Sequence, residues 1–336
     1  MLALLTGWMT GCSSNPLKAP PPTIEAAQPA VSPPVSQNPA GAILPLAGHA
    51  AAAVFDGGTH QLAVLTPGSV TVFGAGQVPP HEIALPGPAT ALTGDGNGTA
   101  YVAGRGGYVV VDLSAGRTAQ MNVADAQGTE FTAIARRADG KLVLGSADGA
   151  VYTLDSPAPA GTAAIAVTAN RTKIFARVDA LATQGNTTLV LDRGQTSVTT
   201  IGPDGRAQQS LRAGEGATTL IADPLGRALV ADTRGGQLLV YGCCSPRTPL
   251  ILRQAYPVPQ APYGLAGSRQ LDWVSQTASN MVIGYDLSTG IPVEKVRYPT
   301  VQQPNSLAFD QATDTLYVVS GSGAGVQVIE HALGAQ

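Results

Sequence analysis

The chain is poor in charge. Only 12% of its 336 residues are Asp, Glu, Lys or Arg, and 19 basic against 22 acidic side chains leave a formal net charge of −3. Such a surface has no basic field for a phosphate backbone, which excludes non-specific nucleic-acid binding. Histidine is scarce as well: His49, His60, His81 and His331 lie far apart and show no His-x₃-His or comparable zinc-ligand spacing. Beyond the extreme N-terminus no run reaches the ~18 apolar residues of a membrane-spanning helix. A Gly-x-Ser-x-Gly elbow is missing, because Gly321–Gly325 reads Gly-Ser-Gly-Ala-Gly and puts glycine in the nucleophile's place. What the chain has in quantity is glycine (40) and proline (26), with 44% apolar residues. The apolar fraction is that of a globular protein, and many glycines with few helix-favouring charges predict an all-β fold rich in tight turns.

The cysteines are Cys12, Cys243 and Cys244. Cys12 follows Met1–Gly11, an apolar stretch of signal-peptide length, with small Gly11 before it and Ser13–Ser14 after it. The arrangement resembles a bacterial lipobox, in which the thiol takes a diacylglyceryl group and the signal is cut just before it. It predicts a signal remnant over 1–11 and lipidation at Cys12. Residues 12–40 are Pro-, Ser- and Ala-rich without apolar periodicity, and predict a semi-rigid extended tether from the membrane. Cys243 and Cys244 are neighbours, whose Cα atoms lie ~3.8 Å apart, below the usual disulfide range. A vicinal bridge, two free thiols and an intermolecular bridge all remain open for them, and an exported compartment permits the bridge. No histidine lies close enough in sequence to make them a metal site.

Over 41–336 one phrase recurs: a small–small–aliphatic opening, a turn, a Val-rich strand, a Gly turn and a second Val-rich strand. Its apolar anchors are Val54, Leu92, Ile134, Leu181, Leu220, Leu265 and Leu307, spaced about 38–47 residues apart. That is the period of a four-stranded propeller blade. A β-helix uses fewer residues per turn, and a two-sheet sandwich needs no such phrase. Seven units predict a seven-bladed β-propeller. The sixth reads as strands at 263–266, 271–275, 281–286 and 292–298, and the third is expected to end on a strand near 163–168. The seventh runs out of chain after three strands, while 42–46 (Ala-Ile-Leu-Pro-Leu) stands before the first with no other home. An N-terminal strand therefore closes the last blade and hides its edge.

The sixth unit, Leu271 through the Ser279-Asn280 turn to Asp286 and Thr289-Gly290, resembles the YVTN-type surface-layer repeat and its NHL-like relatives; Thr313–Val319 resembles the second strand of the same repeat. Taken from the lipobox through the tether and the repeats, the chain is similar to mycobacterial envelope lipoproteins of the LppL type. The resemblance implies a lipid-anchored, extracytoplasmic propeller at the cell membrane or envelope and assigns no activity.

Propellers bind ligands at the mouth of the central channel, which the first strand of each blade lines. The residue two before each anchor is Ala52, Thr90, Thr132, Asp179, Thr218, Tyr263 or Asn305. One carboxylate and one amide do not suit a hard cation, which takes several oxygen ligands. No metal, no cofactor and no catalytic residue is expected. Asp179, Tyr263 and Asn305 are the candidates for orienting a polar ligand, or else for bonding to backbone there. Asp95-Gly-Asn97-Gly-Thr99 looks like a calcium loop but lacks the distal Glu, and reads as a turn. The chain is thus expected to be a monomeric, non-catalytic binding or scaffold module for a protein, glycan or lipid partner. The competing expectation is a lactonase-like propeller hydrolase with its site at the channel.

Overall fold

The computed structural model describes residues 21–74, 79–155, 164–166, 168–244 and 249–334. The signal remnant and Cys12 lie outside the described residues. No described helix is long and apolar enough to cross a membrane. The fold is all-β: seven sheets follow one another, each an antiparallel meander of four strands a to d, with a fifth strand added to one of them. Blade 6 shows the pattern, with a at Pro262–Gly267, b at Asp272–Gln276, c at Met281–Asp286 and d at Val293–Pro299. Strands a of successive blades contact one another round the ring, and blade 7 returns to blade 1. The chain is a seven-bladed β-propeller.

Burial explains why these runs are strands. Strand b of blade 6 is buried throughout, and so is strand b of blade 3, Leu142–Ser146. Both faces of each such strand meet a neighbouring blade, so its apolar residues run on without alternating. Strand d is the outermost and mostly exposed, as in Val293–Pro299, and carries polar residues. The apolar clusters lie between blades. Trp273, fully buried in blade 6, stacks on Phe309 of blade 7 with ring centroids 5.9 Å apart. Turns use glycine where the backbone demands it: Gly149 has φ +82°, and a Cβ there would lie 1.9 Å from the carbonyl oxygen of Phe175.

Ring closure follows the sequence reading. Ala42–Leu44 pairs antiparallel with Val326–Ile329, Ala42 opposite Val328 and Leu44 opposite Val326, and supplies strand d of blade 7. Two expectations need correction. Strand d of blade 3 is Thr168–Lys173, beyond the expected 163–168. The apolar run before it, Ala164–Ala166, pairs in parallel with Thr118–Val123 and covers the outer edge of blade 2. The outer strand is a polar position, and the sequence reading chose the apolar half of the run.

The second correction concerns the Pro-rich segment. Over its described part it is docked along the propeller instead of standing off as a free spacer. Ile24 N–H donates to Gly194 O at 2.8 Å, and Ala40 N–H to Pro299 O at 3.0 Å. Ala27 and Ser32 are buried.

Candidate functional site

The first residues of the seven strands a converge on a cavity of about 310 Å³ at one end of the central channel. The seven positions singled out by alignment all line it: Ala52, Thr90, Thr132, Asp179, Thr218, Tyr263 and Asn305. Arg193, from the b–c turn of blade 4, joins them.

Two of the seven side chains, both threonines, tie one blade to the next. Thr90 Oγ1 donates to Phe131 O at 2.6 Å, and Thr132 Oγ1 donates to Val178 O, each linking one blade to the next. Thr219 Oγ1 donates to Tyr263 O in the same way. The charged, phenolic and amide groups come from blades 4, 6 and 7. Asp179 Oδ2 accepts the Arg193 N–H at 2.8 Å, and Oδ1 accepts Arg177 Nε–H at 3.0 Å. Burial pushes the Asp179 carboxyl above the usual range, while the Arg193 N–H bond and the charges of Arg193 and Arg177 oppose that push. Burial likewise raises the Tyr263 hydroxyl, with the Arg193 charge working against it. Asn305 Oδ1 accepts Gln303 Nε2–H at 3.0 Å.

Among the described residues lining the cavity, Asp179 is the one carboxylate, and it bonds the Arg177 guanidinium and the Arg193 main-chain N–H. Nor do three His, Cys, Asp or Glu side chains come together among the described residues. The aspartates instead build turns. Asp95 Oδ1 accepts the N–H groups of Asn97 (2.8 Å) and Thr99 (3.0 Å), so the calcium-like sequence is a turn. The arrangement at the mouth offers directed hydrogen bonds, a cation and an aromatic face.

The other sequence candidates lie elsewhere. Cys243 and Cys244 follow strand c of blade 5, Gln237–Gly242, and are bridged to each other with their Cα atoms 3.7 Å apart. They line a separate cavity of about 670 Å³ with Arg227 and Arg253 and do not reach the channel mouth. Arg193, which lines the cavity, and Arg234 and Gln303, which donate to the main chain of residues 25 and 30, lie outside the positions that the repeat of strands a brings into line. Arg193 and Arg234 sit just after strands b of blades 4 and 5, Thr187–Asp192 and Arg227–Asp232, so aligning the b–c turns could have found them.

No family model matches the chain, and no curated protein matches it. Solved structures do. The chain is similar to a protein of the mitotic checkpoint complex, at TM-score 0.71 and 13% identity over 90% of this chain and 98% of that one. It is similar to the WD40 repeats of RRP9 at TM-score 0.70 and 14% identity, over 88% of this chain and 99% of that one. The virginiamycin B lyase of Staphylococcus aureus matches at TM-score 0.68 and 9% identity, over 86% of this chain and 98% of that one. At these identities the likeness is one of fold, and it spans both a lyase and a protein of a checkpoint complex.

Proposed function

We propose that the chain is an envelope lipoprotein of the mycobacterial LppL type, anchored through Cys12, whose propeller is a non-catalytic binding module. Its ligand face is the end of the channel where Asp179, Arg193, Tyr263 and Asn305 meet. One observation carries the reading: the seven equivalent positions converge on one cavity and bring it a single carboxylate, bonded to the Arg177 side chain and the Arg193 main-chain N–H. A lone carboxylate with those two donors on it is a poor cation site, whereas a stiff ring with a few directed polar groups suits recognition. A propeller of the mitotic checkpoint complex among the similar structures is consistent with a protein partner.

The test is photo-crosslinking in cells from a probe placed at Thr90 or Ala52, on the open side of the mouth. A specific envelope protein trapped by the wild type, and lost on changing Arg193→Glu, is the expected result. No specific product from either probe position would sink the reading.

A further inference from the structure

The segment from Ile24 to Pro33 is held in an unusual way. It has no partner strand, yet it crosses the channel end of blades 4 to 7 in an extended form. The propeller grips it by its main chain. Arg234 Nη2–H donates to Glu25 O at 2.8 Å and Arg193 Nη2–H donates to Ala27 O. Gln303 Nε2–H donates to Ala30 O at 2.9 Å, Gln302 Nε2–H to Ser32 O at 3.1 Å and Asn280 Nδ2–H to Pro33 O at 2.8 Å. In the other direction Ala30 N–H donates to Thr277 Oγ1 at 3.2 Å and Ser32 N–H to Gln303 Oε1 at 3.0 Å. Gln303 therefore reads residues 30 and 32 with both ends of its amide.

Side chains of the segment contribute little to this hold. Val31 is 91% exposed and Ile24 47%, so the large apolar groups turn to solvent. The buried ones are small: Ala27, and Ser32, whose Oγ–H donates to Thr277 O at 2.5 Å while accepting the Gln303 N–H at 3.0 Å. The groove asks for backbone N–H groups at positions 24, 30 and 32 and leaves 29, 33 and 34 free to be proline, as they are. A surface that reads the carbonyls of an extended chain, tolerates proline at set positions and buries only small side chains has the chemistry that peptide recognition requires.

We propose that this groove binds an extended proline- and alanine-rich segment of a partner protein, and that residues 24–33 are its resident internal competitor. A tethered segment acts at an effective concentration on the order of millimolar, so a free peptide competes poorly until the resident one is loosened. The proposal deepens the binding-module reading. Its test uses no partner, so its failure is distinguishable from a failure to trap one.

The probe is a fluorescent peptide with the sequence of residues 23–34, titrated into the full chain and followed by anisotropy. Ser32→Leu removes the buried hydroxyl from the resident segment and leaves the groove intact. The peptide is expected to bind Ser32→Leu at least about tenfold more tightly than the wild type, and adding Gln303→Ala is expected to remove that gain. Equal affinity for wild type and a folded Ser32→Leu, or no effect of Gln303→Ala, would overturn the proposal. Should Ser32→Leu not fold, hydrogen exchange on the wild type decides: millimolar unlabelled peptide must speed exchange at Ala30 and Ser32, and unchanged rates would overturn it.

Discussion

Asp272 lies fully buried at the start of strand b of blade 6, with Arg227 Nη2 2.5 Å from its Oδ2. The same guanidinium also binds Asp223, so one cation serves two buried carboxylates. Oδ1 of Asp272 has no hydrogen-bond partner. Burial pushes its carboxyl up to about 7, with Arg227 opposing and Asp223 adding to the rise. A folded-state value above the ordinary carboxylate value of about 4 favours folding at acidic pH, and that contribution is lost as pH rises from about 4 to about 7. Asp272→Asn imitates the protonated form. It should melt at a higher temperature than the wild type at pH 8, and the gap should close by pH 5; a gap independent of pH would refute the argument. Trp273, next to it, is fully buried between blades 6 and 7, stacked on Phe309 and Tyr298. Trp273→Ala should cost about 3–5 kcal/mol in denaturant unfolding.

At the scale of the strand, the closing element was legible because six full repeats and a truncated seventh leave a slot that 42–46 can fill. The mouth was legible for the same reason: a period carries equivalent residues to equivalent places, and the seven aligned positions do meet. What the period does not carry is an insertion. The second run of blade 3, Ala164–Ala166 and Thr168–Lys173, holds two strands that belong to different blades, and periodicity allots one. Nor does it carry the docked segment, whose bonds run from residues 24–33 to positions more than 150 apart and depend on backbone that has no sequence signature. The closing strand is short, and Leu44 packs on the cluster formed by Val319, Val326 and Ala308. Leu44→Asp puts a charge there and should both lower the melting temperature and bare the edge of blade 7. Light scattering on warming should rise earlier in this variant than in the wild type, and an unchanged onset would count against the closing role.

For the whole molecule, the low charge and abundant glycine find one explanation. Aspartates and glycines form the turns of a ring whose interior strands are aliphatic, so few charged residues are required elsewhere. The anchor proposed at Cys12 makes a separate claim about location. Cys12→Ser should move the chain from the membrane fraction to the soluble fraction without altering its melting temperature. A variant that stays with membranes would show that the attachment lies elsewhere.

The order of attachments along the chain has a mechanical consequence. A pull at the N-terminus reaches residues 24–33 before it reaches Ala42–Leu44, since the docked segment precedes the closing strand. Its main-chain bonds can let go one after another, each taking load before the next. With the anchor proposed at Cys12, a pull from the membrane would be spent on these bonds before any tension loads blade 7.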